Sequence, residues 1–193
     1  MTFREKRKHL LELYRRFDKE ARPYLKEAVC DRGCGGCCVT RGWIDATTLE
    51  GTILFEKVRS LPPGARSRLL AGVEREMAAK EAGGDAPVRC GFLRDDDICA
   101  VYPARPFSCR RLYSIRRCGD DGATVHKKLW ELGEKIAIEI QRLDDTGYTG
   151  HLSFIVHLLR QTAFRKFYQE GGFDPEAVRE FGEAHGLSIN RFR

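Results

Sequence analysis

The chain has no long apolar segment: none of its hydrophobic runs approaches the roughly 18 residues needed to span a bilayer. The basic residues 1–11 are also not followed by the apolar stretch of a signal peptide. Both absences favour a cytoplasmic protein without a membrane anchor, and thiols stay reduced in that compartment. We therefore expect its cysteines to bind metal, with disulfides or scattered buried thiols as the alternatives.

Several motifs of catalysis and ligand binding are also missing. The chain has no phosphate-cradling glycine loop, no G-x-S-x-G nucleophile motif and no dinucleotide fingerprint. Its five histidines show no spacing typical of metal ligands, and none of them lies among the cysteines. The acidic run 95–97 lacks the alternating ligands of a calcium loop. These absences leave the cysteines as the first residues to examine for function.

All eight cysteines lie between residues 30 and 118, and four of them are crowded into nine residues. The first group is Cys30-Asp-Arg-Gly-Cys34-Gly-Gly-Cys37-Cys38, and the second is Cys90, Cys99, Cys109 and Cys118. Sulfurs gathered this tightly between glycines are typical of ligands that converge on one small cation or cluster. All eight are candidate metal ligands, and the best supported are Cys34, Cys37, Cys99 and Cys109.

The number and type of the candidate ligands restrict which metal centre the cysteines can bind. Four thiolates serve a structural zinc ion or a four-iron cluster, so eight allow two sites, or one site with spare thiols. Neighbouring side chains in extended backbone point to opposite sides, so Cys37 and Cys38 serve different metals or one is not a ligand. The all-sulfur environment and the loose, glycine-rich first group favour an iron–sulfur cluster over zinc. The single Cys-x2-Cys unit argues for zinc, although zinc ribbons have two.

The second cysteine group belongs to a longer pattern. It reads Cys90-Gly-Phe-Leu and then Cys99-Ala-Val-Tyr102-Pro-Ala-Arg105-Pro106-Phe-Ser-Cys109-Arg110. With Cys34, Cys37 and Cys38 it resembles the YkgJ-like CxxCxxCC cysteine-cluster family, whose members are described as zinc- or iron-chelating. The resemblance covers residues 30–118 and departs from the family pattern by one inserted residue before Cys34. It implies a cysteine-bound iron–sulfur cluster or zinc ion.

The same family resembles, and by some descriptions includes, flagellin-lysine methylases. The resemblance therefore implies a second hypothesis, a cluster-dependent enzyme that modifies a protein, although the chain shows no identifiable methyl-donor site. A third hypothesis is a metal handler that passes zinc or iron to a client, with Cys38 or Cys118 as exchanging thiols. A fourth is a scaffold that binds a protein partner through its N-terminal helix. Whether the protein is an enzyme is left open.

Two arginines of the second group have a physical reason to lie near the thiolates. Four thiolates on one Zn²⁺ leave a net negative charge, and a buried anion needs compensating donors. We expect Arg105 and Arg110 to supply them. The alternative for Arg105 is an ion pair with the acidic run 95–97. We expect Tyr102 to belong to the core.

Helical periodicity dominates the rest of the chain. It predicts a mainly α, small helical domain in which two cysteine-rich irregular loop regions are organised around a metal or iron–sulfur site. The predicted helices span 3–28, with a break near Arg22, 46–59, 65–82, 125–143, 152–169 and 175–186. Asp45 and Asp174 are the predicted N-caps of the second and the last. The predicted regions are an N-terminal amphipathic helix (1–29), the cysteine-cluster region (30–123) and C-terminal helices packed on the same domain (124–193).

The formal charge of +6 is unevenly distributed. Residues 1–28 carry nine Lys/Arg against five acids, and residues 105–128 carry seven against two. Basic segments attract nucleic acids, but no nucleic-acid module accompanies this charge, so we favour solvated helix faces and counter-charge around thiolates. The apolar stripe of the first helix fits packing on its own domain or pairing with a protein partner. Its residues are Leu10, Tyr14, Phe17, Ala21, Tyr24 and Ala28.

Overall fold

The computed structural model describes residues 1–30, 34–40, 43–82, 88–118 and 122–192. This part of the chain is mainly helical, as predicted, and contains one small antiparallel sheet. Its helices are α1 (Phe3–Ala21), α2 (Gly36–Thr40), α3 (Thr48–Arg59), α4 (Pro63–Glu81), α5 (Phe107–Arg110), α6 (Lys127–Leu143), α7 (Leu152–Arg160), α8 (Thr162–Gln169) and α9 (Arg179–His185). Its strands are β1 (Asp45–Thr47), β2 (Tyr148–His151) and β3 (Ser188–Ile189). None of the helices in these ranges is long and apolar enough to cross a membrane.

Three predicted helix boundaries are corrected. The N-cap of α3 is Thr47, which forms a capping box with Glu50, whereas the predicted cap Asp45 begins β1. The predicted helix 152–169 is two helices, because the backbone of Gln161 is extended. Within the first cysteine-rich region, predicted to be an irregular loop, Gly36–Thr40 form α2, and Gly33 lies outside the described residues.

The predicted break near Arg22 is confirmed, and the predicted cap of the last helical segment is corrected. The α-helix at the N-terminus ends at Ala21, just before Pro23, and continues as a 3-10 helix over Arg22–Glu27. The N-cap of the segment before α9 is Pro175 rather than the predicted Asp174, whose carboxylate accepts a hydrogen bond from the Ala177 N–H at 3.2 Å. That segment is a 3-10 turn (Glu176–Val178) leading into α9.

The central strand of the sheet is β2, which pairs antiparallel with β1 on one side and β3 on the other. In the register, Asp45 lies opposite His151 and Tyr148 lies opposite Ile189. All four residues of β2 are buried. Because α3 follows β1 directly and α7 follows β2 directly, the sheet brings the starts of these two core helices together.

Two clusters of buried apolar side chains form the core. One includes residues of α3, α4 and α7, and the other includes residues of α1 and α6. The stripe of α1 packs on α6 of the same chain, and its Leu10, Tyr14, Phe17 and Ala21 are at most 6% exposed. This helix therefore caps its own domain, and partner binding through it stays a prediction. The cysteine-bearing loops contribute Phe92 and Val101 to the first cluster and Phe107 to the second.

The buried carboxylate of Glu50 connects α3 to α1 and to the start of α5. It accepts hydrogen bonds from the Tyr14 hydroxyl at 2.8 Å and from the Phe107 N–H at 2.6 Å. A buried donor left without its acceptor costs about 1–3 kcal/mol, so this carboxylate stabilises both contacts. Because Cys109 lies on α5, Glu50 also determines where that cysteine sits relative to the helical core.

Two buried groups, Asp144 and His151, have opposite effects on the pH dependence of stability. Burial raises the pKa of Asp144 to about 7 and lowers the pKa of His151 to about 3. The unfolded pKa values are about 3.9 and about 6.5. Between about pH 4 and 6.5, Asp144 is therefore protonated in the folded state but ionised in the unfolded state. The contribution of Asp144 to the free energy of unfolding falls as pH rises through this range. At His151 the unfolded state holds the extra proton, and that contribution rises with pH.

The substitution Asp144→Asn is expected to leave the effect of His151 unopposed. Relative to the wild type, the free energy of unfolding of the variant should rise by about 3 kcal/mol more between about pH 4 and 6.5. Urea unfolding at the two pH values measures this difference, with the exposed carboxylate variant Glu170→Gln as the control. Parallel pH profiles for wild type and Asp144→Asn would show that Asp144 titrates normally.

Candidate functional site

All eight cysteines line one cavity of about 90 Å³. They come from α2 and the chain before it, from the loop between α4 and α5, from α5 itself, and from the segment after it. All are free thiols. The structure thus brings together the residues that the sequence pattern predicts as ligands. Arg105 and Arg110 line the same cavity.

One side of the cavity is formed by Cys30, Cys34 and Cys118. The Cys30 Sγ accepts a hydrogen bond from the Ser114 N–H at 3.2 Å, and Ser114 lies four residues before Cys118. A Cβ atom built on Gly36 would lie 3.6 Å from the Cys118 Sγ and 3.7 Å from the Cys34 Sγ. The glycine at this position therefore lets two sulfurs approach the start of α2.

Another side is formed by Cys38, Cys90, Cys99 and Cys109, and Cys37 lies next to these cysteines, because it interacts electrostatically with Cys99 and Cys109. The Cys90 N–H donates to the Cys38 carbonyl at 2.8 Å, and the thiols of the two residues also share a hydrogen bond. Cys99 forms an antiparallel bridge with Leu93, three residues after Cys90. Backbone hydrogen bonds thus hold α2 and the loop after α4 against each other at this side.

The crowding of the thiols shifts their pKa values. The hydrogen bond to Cys38 and burial raise the pKa of Cys37 far above its ordinary range. Cys38 accepts that bond, which lowers its pKa, but its hydrogen bond to Cys90 and its burial outweigh this and raise the pKa to about 12. Burial also raises the pKa of Cys30, Cys99 and Cys109. A metal must displace these protons, so its binding releases protons and strengthens with rising pH.

The guanidinium of Arg105 lies close to the thiols. It packs over the Tyr102 ring at 3.9 Å and donates to the Tyr102 carbonyl at 3.1 Å. Its positive charge offsets part of the rise in pKa that burial and neighbouring thiols cause at Cys37, Cys99 and Cys109. Compensation of a metal–thiolate charge by Arg105 stays a prediction, and this placement puts the guanidinium where that role requires it.

The alternative pairing of Arg105 with the acidic run 95–97 is not what the structure shows. There, Asp96 pairs with Arg94, and Asp97 pairs with Arg89 at 2.8 Å. The prediction that Tyr102 belongs to the core is wrong, because its side chain is 38% exposed. Arg105 covers one face of the ring, so the tyrosine supports the arginine rather than the core.

Arg110 presents an unsatisfied donor beside the cysteines. Its guanidinium packs over the Tyr14 ring at 4.4 Å and donates through Nη2 to the Pro103 carbonyl at 3.1 Å. Its buried Nε has no hydrogen-bond partner in the part of the chain that the structure describes. A buried donor without an acceptor costs about 1–3 kcal/mol. The guanidinium also pairs through Nη1 with Asp18 at 3.7 Å, so the Nε is the group left to serve an anionic metal–thiolate group in the cavity.

The loop that carries Cys90 lies directly on α4. A Cβ atom on Gly72 would lie 2.7 Å from the Gly91 carbonyl oxygen, and one on Gly91 would lie 2.5 Å from the Val73 nitrogen. The buried Glu76 accepts a hydrogen bond from the Gly91 N–H at 2.9 Å. Only glycines allow this backbone approach. Sequence reasoning missed Gly72 and Glu76 because their contact with the loop is long-range and follows no motif.

The described residues contain no group of three or more Cys, His, Asp or Glu side chains that is already positioned to hold one metal ion. The inference that a metal could bind here is therefore drawn from the chemistry of the residues that line the cavity. That wall carries eight sulfurs, the cationic Arg105 and the unpaired Nε of Arg110. Soft thiolate ligands select zinc or iron–sulfur clusters, and the two arginines suit the negative charge of either.

No family model matches the chain, and no curated protein or solved structure matches it either. The resemblance to the YkgJ-like family therefore stays a prediction based on the cysteine, tyrosine, arginine and proline spacing of residues 90–110.

Replacing Arg105 by glutamine is expected to weaken metal binding about 10- to 100-fold, in the range found when groups supporting metal ligands are removed. The physical reason is the loss of the positive charge that favours the thiolates. Competition with a chromophoric chelator measures the affinity. Arg111→Gln is the matched control, because Arg111 pairs with Glu134 and packs over Trp130. Equal losses in both variants would indicate a general effect of arginine removal.

Proposed function

We propose that this protein binds a metal centre through its cysteines, an iron–sulfur cluster in preference to zinc, and that the centre organises the fold of residues 30–123. The observation that supports this most strongly is the shared cavity lined by every cysteine of the chain. These cysteines come from segments as far apart as residues 30 and 118. Convergence of cysteines from distant segments is typical of metal ligation. The compartment we propose is the cytoplasm, where thiols stay reduced.

The size of the cavity supports a group larger than a single ion. In a tetrahedral zinc site the Zn–S distance is about 2.3 Å, so the four sulfurs lie about 4 Å apart and leave no space between them. Here the cysteines line a cavity of about 90 Å³ together with apolar side chains such as Phe92 and Leu112. A cluster of iron and sulfide atoms needs such a space, and so do two neighbouring centres.

A second candidate is a metal handler that delivers its metal to a client. One observation favours it: Cys34 is exposed, whereas the other seven cysteines are half-buried. A metal bound on that side would be accessible to a competing thiol, and thiolate exchange requires such access. The cluster-dependent protein-modifying enzyme implied by the family resemblance would use the same centre.

Serine substitution at each of four cysteines tests the proposed function. We expect Cys34→Ser, Cys37→Ser, Cys99→Ser and Cys109→Ser each to lower the metal content per folded chain. The control is Ser108→Ala, which alters a polar side chain beside Cys109 without removing a sulfur. Unchanged metal stoichiometry in all four cysteine variants would contradict the proposal.

A further inference from the structure

We infer that the eight cysteines form two separate metal centres with four thiolates each. This inference rests on the proposed function and adds the division of its ligands. The first set is Cys30, Cys34, Cys37 and Cys118, and the second set is Cys38, Cys90, Cys99 and Cys109.

Three members of the first set are brought together by local backbone contacts. The Val29 N–H donates to the Ser114 carbonyl at 2.8 Å, and the Ser114 N–H donates to the Cys30 Sγ. This pairing places Cys30 beside the segment that ends at Cys118. A Cβ atom on Gly36 would lie within 3.7 Å of both the Cys118 Sγ and the Cys34 Sγ, so these two sulfurs lie on the same side of the start of α2.

The second set is connected by a different group of backbone contacts. The Cys90 N–H binds the Cys38 carbonyl, and the Ala100 N–H donates to the Phe92 carbonyl at 2.9 Å, beside the Leu93–Cys99 bridge. A series of turns then leads from Cys99 to Cys109. In these turns the Tyr102 N–H donates to the Cys99 carbonyl at 3.3 Å, and the Cys109 N–H donates to the Pro106 carbonyl at 3.0 Å.

The division falls between Cys37 and Cys38, the adjacent cysteines of α2. Successive side chains of an α-helix are about 100° apart around its axis, because one turn takes 3.6 residues. The two side chains can therefore face different sides of the cavity while their thiols remain in hydrogen-bond contact. Cys37 lies between the two sets, because it interacts electrostatically with Cys30 on one side and with Cys99 and Cys109 on the other. We assign it to the first set because two residues separate it from Cys34 in a Cys-x2-Cys unit, the spacing with which two cysteines bind one ion.

Titration of the metal-free protein with Co²⁺, which occupies tetrathiolate sites, tests the division. We expect two equivalents of Co²⁺ per wild-type chain, one equivalent for Cys34→Ser, one for Cys99→Ser, and none for the double variant. Cys37→Ser should behave like Cys34→Ser: it should lose the same equivalent, so that adding Cys34→Ser to it causes no further loss. The wild-type stoichiometry is independent of whether any variant folds.

Several results would overturn the inference. One equivalent in the wild type, or loss of all binding in a single variant, would mean one shared centre, and the proposed function would survive. Loss of the second centre in Cys37→Ser would show that the sets are assigned wrongly. No Co²⁺ uptake by the folded wild type would overturn the division; if the protein as isolated also contains neither iron and sulfide nor zinc, the proposed function falls with it.

Discussion

Metal removal is expected to unfold the cysteine-cluster region and to lower the stability of the whole domain. Structural zinc contributes about 10–16 kcal/mol in small peptides, whereas a typical domain has a total stability of about 5–15 kcal/mol. The loops between the cysteines supply Phe92, Val101 and Phe107 to the core, so their loosening would expose both core clusters. Thermal unfolding of the metal-loaded protein and of the chelator-treated protein measures the difference.

The control for this experiment is restoration of the centre to the stripped protein, with iron and sulfide supplied together under anaerobic conditions, or with Zn²⁺ if the isolated protein holds zinc. We expect the original melting temperature to return, because removal of a reversible ligand leaves the chain unchanged. Identical melting temperatures with and without metal would mean that the helical core folds independently and that the centre does not organise it.

The substitution Gly72→Ala, which adds one methyl group, is expected to lower the free energy of unfolding by about 3 kcal/mol, the upper part of the usual range for overpacking. The reason is that its Cβ would lie 2.7 Å from the Gly91 carbonyl oxygen, a backbone atom that moves only with the loop carrying Cys90. Chemical denaturation measures the loss of stability. Because Cys90 would move away from α4, the metal content should fall as well.

Gly64→Ala provides the matched control on the same helix. A Cβ atom at Gly64 would approach only the end of the Arg68 side chain, at 3.7 Å. Alanine favours helix over glycine by up to about 1 kcal/mol, so this variant should be as stable as the wild type or more stable. Equal stability of Gly72→Ala and Gly64→Ala would contradict the close packing of α4 against the cysteine loop.

The helices could be predicted where their apolar periodicity was long and regular. In α1 the stripe through Leu10, Tyr14 and Phe17 is buried as its spacing indicates. The sheet could not be predicted in this way, because its strands are only two to four residues long and give no alternating pattern. The break at Gln161 was missed because neither glycine nor proline marks it.

For the candidate site, the sequence predicted which residue types would converge but not what holds them. Cysteine spacing indicated one shared location, and the charge of a thiolate centre indicated Arg105. The residues that hold the cysteine segments in place, Glu50 and Gly72, were missed because their contacts join positions distant in sequence. Glu50 binds the Phe107 N–H 57 residues away, and Gly72 lies against Gly91 through a backbone contact that only the folded structure creates.

Anaerobic purification followed by metal and sulfide analysis and a visible absorption spectrum of the same sample tests the central claim most directly. The account predicts a brown protein with broad visible absorbance and with iron and sulfide in matching amounts. A colourless protein with stoichiometric zinc would keep the cysteine-bound metal centre and correct its identity. A folded protein that contains no metal after anaerobic isolation would contradict the account.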